Sequence, residues 1–209
     1  MLQINSKRID LSMSEILYQR PFSEASLKED FEISGGVWSL QGEWLTGIYR
    51  ENAGALVYLK EDFSDDILLD FEGRTIPPCD NDLNFAFRTE GWDYAKNDAG
   101  RGYIGGLAGW WDGKAGIEHY PQCTPWAGTS MFHLVPGRTY HIQTGAIGGH
   151  IFLIVDGELI VELFDPTVNE LKDCHRVGLG AYCSQVQFRN LKVLRPKWEQ
   201  IECSYVPNF

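Results

Sequence analysis

The sequence predicts an all-β protein, an antiparallel sandwich of two sheets. Short runs of alternating apolar and polar residues recur along the chain, and turn residues separate them. Aromatic residues make up 13% of the 209 residues, and there are 22 glycines, a composition that favours strands joined by many turns. Because no helical pattern alternates regularly with the strands, an antiparallel sandwich or barrel is expected and a parallel sheet is not.

The first half of the chain contains four candidate strands before residue 76. The segment "GGVWSLQGEWLTGIYR" predicts two strands on either side of Gly42. The segment "GALVYLKEDFSDDILLDFEGR" predicts two more, and the polar residues 64–66 separate them. Both segments are therefore typical of short strands divided by turns.

The segment "LNFAFRTE" has the clearest alternation in the first half. Leu83, Phe85 and Phe87 share one face of the predicted strand, which we expect to be buried. Asn84 and Arg88 share the opposite face. We therefore expect both polar side chains to point away from the core, toward the surface that can form a groove.

The second half contains the strongest hairpin signals. The segment "RTYHIQTGAIGGHIFLIVDGELIVELFD" predicts three antiparallel strands, with turns near residues 147–149 and at Asp156-Gly157. Ile151, Leu153 and Val155 should be buried. The segment "RVGLGAYCSQVQFRNLKVLRP" predicts a closing pair of strands. Weak helical periodicity occurs only in "SMSEILYQR" and "PTVNELKD".

Charge and composition limit the function. The net charge of −11 opposes binding to a phosphate backbone, so a nucleic-acid partner is not expected. No apolar run is long enough to span a bilayer, so no membrane partner is expected, and the first 20 residues do not have the pattern of a secretory signal. If Met1 is the native start, we expect a cytoplasmic protein. The oligomeric state is left open.

The five cysteines have neither an even count nor a CxxC spacing. This pattern argues against a disulfide framework and against a zinc site, so we expect free thiols. A cytoplasmic location agrees with free thiols. The five positions are Cys79, Cys123, Cys174, Cys183 and Cys203.

These segments resemble a known superfamily. The stretches "GRTYHIQTGAIGGHIFLIVDGELI" and "VGLGAYCSQVQFRNLKV" are similar to the closing half of concanavalin A-like lectin/glucanase jelly rolls, and "DFSDDILLDFEG" before "NDLNFAFR" is similar to their first half. The similarity is greatest to bacterial jelly-roll domains of sugar-utilisation operons, of the 3-keto-disaccharide hydrolase type and the YesU-like type. It implies a single domain over residues 1–209, with a jelly-roll core at about 31–196 and an extension at each end.

The resemblance does not supply a catalytic strand. Laminarinase-type members carry a Glu-x-Asp-x-(x)-Glu strand, and the nearest segment here is "LLDFE". Leu68 stands where the nucleophile would be, while Asp70 and Glu72 remain. A retaining glycosidase needs two carboxyl groups about 5–5.5 Å apart, so that mechanism is not transferred to this strand.

Residues 81–133 combine the side chains that a sugar site needs. Aromatic rings stack on the C–H faces of pyranoses, and planar polar groups bind their hydroxyls. We predict a groove here for a mono- or oligosaccharide; the alternative is that the rings belong to the core or to strand edges. Trp110 and Trp111 are adjacent, so at most one of them is expected in the groove. The predicted binding residues are Asn84, Arg88, Trp92, Tyr94, Tyr103 and Trp111.

Candidate acid–base groups follow in the same region. In "GIEHY", Glu118 and Tyr120 share one face of a strand and His119 takes the other, so His119 could join Glu118 only at a bulge. His133 falls in a segment that we expect to be a nearby strand. Glu118, His119 and His133 are therefore the candidate catalytic residues, although a lone histidine is more often structural.

Three functions remain open on these observations. The first is a glycoside hydrolase or lyase in which Arg88 would hold a uronic acid carboxylate. The second is a non-catalytic carbohydrate-binding module, and the third is a structural subunit of a sugar-processing complex. No cofactor is expected, although a structural calcium could bind at Asp80, Asn81, Asp82 and Asn84. The alternative is that this segment is an ordinary turn.

Overall fold

The computed structural model describes residues 1–49, 54–93, 96, 99–109, 113–122 and 126–202. These residues form two packed antiparallel sheets, which confirms the predicted all-β sandwich. We call them the back sheet and the front sheet. In the described part of the chain, the back sheet has nine strands and the front sheet has seven.

The back sheet contains the first and the last described strands. Its order is β1-β2-β16-β7-β12-β13-β14, with β5 also pairing with β16 and β4 pairing with β5. The last strand, β16, therefore lies between β2 and β7. The bounds are β1 Leu2–Ile4, β2 Lys7–Gln19, β4 Val37–Gln41, β5 Trp44–Ile48, β7 Ile67–Thr75, β12 Tyr140–Ile147, β13 His150–Val155, β14 Glu158–Phe164 and β16 Gln185–Gln200.

The front sheet is built from the middle of the chain. Its order is β11-β10-β9-β8-β15-β6-β3. The strands β8, β9, β10 and β11 follow one another as neighbours, so residues 83–129 occupy one half of this sheet. The bounds are β3 Phe31–Ser34, β6 Gly54–Leu59, β8 Leu83–Thr89, β9 Gly102–Leu107, β10 Ala115–Tyr120, β11 Trp126–Thr129 and β15 Arg176–Tyr182.

The main core fills the space between the two sheets. Alternate residues of β8 enter it as predicted, and Leu83, Phe85 and Phe87 are fully buried. The predicted core residues of β13 are buried too, with the exposed fraction of Ile151, Leu153 and Val155 at or below 3%. Period-2 alternation predicted these faces correctly because one side of each strand packs on the opposite sheet.

The predicted turns are present. Strands β4 and β5 turn at Gly42, and β12 and β13 turn at Gly148-Gly149; all three glycines have positive φ. Asp156 and Gly157 join β13 to β14 with φ of 52° and 87°. A two-residue turn with positive φ at both positions matches the twist of paired strands, which is why Asp-Gly predicts a hairpin.

The two weak helical patterns do not form α-helices. Residues 12–19 of "SMSEILYQR" lie in β2, whose pairing with β16 overrides the local pattern. The segment "PTVNELKD" holds a 3₁₀ turn at Val168–Leu171. An α-helix, α1, spans Glu24–Asp30 and begins with a capping box between Ser23 and Ser26. Among the described residues, no helix has the length and apolar character needed to cross a bilayer.

Candidate functional site

Two rows of side chains cross the outer face of the front sheet. The strand register aligns one row as Leu56, Gly180, Asn84, Gly106, Gly116 and Gly128. It aligns the next row as Tyr58, Gly178, Ala86, Ile104, Glu118 and Trp126. Large polar or aromatic residues thus stand beside residues with little or no side chain.

The glycines allow these large side chains to lie across the sheet. A Cβ atom on Gly178 would stand 2.6 Å from the Tyr58 ring, and one on Gly128 would stand 2.9 Å from the Trp126 ring. Each ring therefore occupies the space that a neighbouring side chain would otherwise fill. Trp126 is 49% exposed, and exposed aromatic side chains tend to mark binding sites.

Glu118 lies directly beside this platform. It pairs with Trp126 across strands β10 and β11, and opposed residues of antiparallel strands have Cβ atoms about 4.5–5.5 Å apart. Glu118 is only 4% exposed. A ring platform next to a carboxylate offers both the apolar and the hydrogen-bonding contact that a sugar ring uses.

Three buried polar atoms of this face lack a hydrogen-bond partner among the described residues. They are the Tyr58 hydroxyl, Asn84 Oδ1 and Trp92 Nε1. Trp92 packs against the apolar cluster that holds Tyr58 and Ile104, so it folds back onto this face from the β8–β9 connection. An unsatisfied buried polar group costs about 1–3 kcal/mol, so these atoms mark a place for a ligand or ordered water.

Asp82 lies two residues before Asn84, and only 6% of it is exposed. Burial raises the pKa of Asp82 to about 6 and outweighs the hydrogen bonds that it accepts from the side chains of Asn81, at 2.7 Å, and Asn84, at 3.5 Å. This carboxyl group therefore changes its charge, and its role from acceptor to donor, close to neutral pH.

The described residues do not assemble the predicted calcium site. Calcium takes six to eight oxygen ligands, whereas the Asp82 carboxylate accepts N–H groups from its two amide neighbours. Asp80 is exposed to solvent. Within the described part of the chain, no three His, Cys, Asp or Glu side chains are grouped so that they could hold a metal ion.

The structure brings three of the sequence-predicted residues to this face, namely Asn84, Trp92 and Glu118. Two further predicted residues, Tyr94 and Trp111, lie outside the described residues, as does Trp110.

Tyr103 and His119 lie on the opposite, inner face of the front sheet. The two side chains pair across strands β9 and β10 and contact a fully buried carboxylate, that of Asp165. The Tyr103 hydroxyl donates to Asp165 at 2.6 Å, and His119 Nδ1 lies 3.0 Å from Asp165 Oδ2. The β9–β10 pairing is regular at His119, so no bulge turns its ring toward Glu118. Both residues are thus part of the core.

Arg88 and His133 also lie away from the predicted groove. The register of β8 against β15 shifts next to Arg88, whose φ is +43°, and the guanidinium reaches the Leu171 carbonyl at 3.4 Å instead of facing outward with Asn84. His133 is exposed in the connection between β11 and β12, so the prediction of a strand there is wrong.

Sequence reasoning missed two residues of this face, Tyr58 and Trp126. A signal for Trp126 was present: in "WAG" the tryptophan stands two positions before Gly128, on the same side of a strand. Tyr58 belongs to β6, which is remote in sequence from residues 81–133, and only the β6–β15–β8 pairing brings it there.

Solved structures, among them the following three, share this fold at low sequence identity. A Bacillus subtilis protein of unknown function with a galectin-like fold is 14% identical, with a TM-score of 0.69 over 88% of this chain and 99% of that chain. The carbohydrate-binding module CBM66 from Bacillus subtilis is 14% identical, with a TM-score of 0.58 over 79% of this chain and 95% of that chain.

The exoplasmic/lumenal domain of VIP36, solved with Ca²⁺ and mannose, is 11% identical, with a TM-score of 0.60 over 96% of this chain and 100% of that chain. These similarities confirm the concanavalin A-like jelly roll predicted from the sequence. The chain matches no protein-family model, and no curated protein matches its sequence.

Proposed function

We propose that this chain binds a saccharide noncovalently on the outer face of the front sheet. The observation that carries the proposal is the Trp126 ring, which lies across Gly128, is half exposed and stands directly opposite Glu118. A sugar stacked on this ring would place its hydroxyls beside the carboxylate. Two structural neighbours, a carbohydrate-binding module and a domain solved with bound mannose, support the same interpretation.

The buried polar atoms give the proposed ligand its hydrogen bonds. Asn84 Oδ1 is an acceptor, the Tyr58 hydroxyl can donate or accept, and Trp92 Nε1 is a donor. A hydroxyl group that reaches one of these atoms can satisfy it, because each hydroxyl both donates and accepts. A purely apolar ligand would leave them unsatisfied.

The hydrolase predicted from the sequence receives less support from the geometry. The backbone N–H of Asp82 donates to the carbonyl of Ala108, and Glu118 pairs with Ile104. Asp82 and Glu118 are therefore separated by four residues along the direction of β9 and by two strands across the sheet. At about 3.4 Å per residue and about 4.8 Å per strand, their backbones are roughly 16 Å apart. The carboxyl groups of glycosidase pairs are about 5–9.5 Å apart, so a backbone separation of this size does not favour Asp82 and Glu118 as such a pair.

The test is binding of a panel of neutral mono- and disaccharides by isothermal titration calorimetry. Trp126→Ala removes the platform and should weaken binding at least about 10-fold, since a stacked aromatic ring contributes about 1 kcal/mol or more beyond its simple burial. Phe164→Ala is the matched control, because Phe164 is an aromatic residue of the back sheet that is 64% exposed. Unchanged affinity in Trp126→Ala, or equal losses in both variants, would contradict the proposal.

Glu118→Gln separates binding from catalysis. If the site only binds, the change should weaken affinity by about one hydrogen bond, 1–3 kcal/mol. If the ligand is also cleaved, turnover should fall about 100-fold or more, the scale for loss of a general acid or base. The proposal does not rely on calcium, so saccharide affinity should be the same in EDTA as in millimolar Ca²⁺. Calcium-dependent binding would instead support the structural calcium predicted from the sequence.

A further inference from the structure

A cavity lies on the outer face of the back sheet, on the other side of the molecule from the proposed saccharide site. It has a volume of about 600 Å³ and is lined by residues of β7, β12, β16 and the end of β2. Ligand sites in proteins commonly measure about 300–1,000 Å³, so this space suits a molecule of mono- or disaccharide size.

The cavity exists because the back sheet divides along β16. Strand β5 pairs with β16 as far as Phe188, and β2 pairs with it from Lys192 onward. Residues 189–191 lie between these two partners, and the register against β7 shifts at the same place. Asn190 has φ of +56° there, as expected for a bulged residue. The gap between the two partner strands leaves room for a ligand over the bulge.

Both carboxylates of the cavity already have their donors. Asp70 accepts from the Gln143 side chain at 2.7 Å and from His141 Nε2 at 3.1 Å. Glu72 accepts from Arg189 at 2.8 Å and from Asn190 at 2.9 Å. Both carboxylates of the cavity are therefore engaged by side chains of the protein itself.

Several donors of the cavity have no acceptor. Among the described residues, Lys192 makes no hydrogen bond or ion pair, although its charge helps to lower the pKa of Asp70. Arg20 uses Nη1 for Glu29 and Asp30, which leaves Nε and Nη2 without a described partner. His141 is held by Asp70 through Nε2, which raises its pKa and favours the protonated ring with a second donor at Nδ1.

We infer that this cavity is a second binding site, and that its ligand is a small polyhydroxylated monoanion of the sugar-acid class. The cationic groups of the cavity keep free donors, so a ligand with an anionic acceptor fits them. Lys192 is the one lysine of the lining and forms no ion pair among the described residues, which matches a single carboxylate on the ligand. Asp70 and Glu72, whose pKa values are lowered, repel a dianion more strongly than a monoanion, so a ligand with a single negative charge is favoured.

The experiment is calorimetric titration of the full chain with gluconate, at pH 6 and low salt. Glucose tests whether the carboxylate is needed, and inorganic phosphate tests for general anion binding. Gluconate should bind at least about 10-fold more tightly than either. Lys192→Gln should weaken gluconate binding at least about 10-fold, and Lys192→Glu should abolish it.

Lys197→Gln is the matched control, because it removes the same charge from an exposed position on the same strand. It should leave gluconate affinity unchanged. The inference is overturned if gluconate does not bind, if glucose or phosphate binds equally well, or if Lys192→Gln and Lys197→Gln behave alike. Chemical-shift changes at His141 upon titration would further distinguish this cavity from the front sheet, which holds neither His141 nor Lys192.

Discussion

Removal of the Tyr103 hydroxyl should destabilise the fold, because this hydroxyl donates a hydrogen bond to the buried carboxylate of Asp165. Asp165 is fully buried and accepts hydrogen bonds from Tyr103 at 2.6 Å and from Thr167. Burial alone would raise the pKa of Asp165, but the bonds from Thr167 and Tyr103 outweigh burial and hold the pKa below its usual value. Tyr103→Phe deletes one bond to a buried charged group, which costs about 1.5–3 kcal/mol.

The measurement is urea unfolding at pH 7, followed by thermal unfolding. For a chain of this size, a loss of about 2 kcal/mol lowers Tm by about 4–8 °C. Tyr18→Phe is the matched control: its hydroxyl donates to Asp30 at 3.0 Å, but that carboxylate is 21% exposed and also pairs with Arg20. Water can replace this bond, so the control should lose no more than about 1 kcal/mol.

The pH dependence gives a second measure of the same interaction. A carboxylate with a lowered folded pKa stabilises the fold above its unfolded pKa, and this contribution is lost as pH falls through the folded pKa. Tyr103→Phe should raise the pKa of Asp165, so acid unfolding should begin at a higher pH than in the wild type. Equal losses in Tyr103→Phe and Tyr18→Phe, with identical acid transitions, would refute the reasoning.

Three further predictions concern other parts of the molecule. Gly145→Ala should destabilise the back sheet by about 3 kcal/mol or more, measured by urea unfolding, because the added Cβ would overlap a backbone carbonyl of the neighbouring strand. The pKa of His141, followed by NMR, should be raised in the wild type and return toward its usual value in Asp70→Asn; its stabilising contribution is present at low pH and is lost as pH rises through the raised pKa. In peptide mapping after thiol labelling of the native protein, exposed Cys183 should react well before Cys174, whose pKa is raised by burial.

Local sequence patterns predicted the strands better than the site. The inward faces of β8 and β13 followed from alternation, and Asp156-Gly157 fixed a hairpin, since these signals act within a few residues. The path of β2 could not be predicted, because β2 pairs with β16, which is far away in the sequence. Lys192 and Gln19, for example, are 173 positions apart. No local pattern contains that contact.

The prediction of the site was wrong where a single backbone angle or a residue distant in sequence decides which way a side chain points. Strict alternation placed Arg88 beside Asn84, but the bulge at Arg88 turned it away. Alternation did separate Glu118 from His119 correctly, and only the buried Asp165, 46 positions later in the chain, explains why the ring faces inward. Bulges and buried polar contacts such as that of His119 with Asp165 arise only in the assembled sheets, so local sequence patterns do not predict them.

The central position of β16 in the back sheet has a consequence for the order in which the chain can fold. As the chain leaves the ribosome, β16 is the last described strand to emerge, yet it must insert between β2 and β7. Until then both neighbours present unpaired backbone edges, which are sites for misassociation with other chains. The front sheet needs only residues 31–182, so it can form while the back sheet is still divided. A nascent chain that stalls before residue 185 would therefore contain every described strand of the front sheet while the back sheet still exposes unpaired edges.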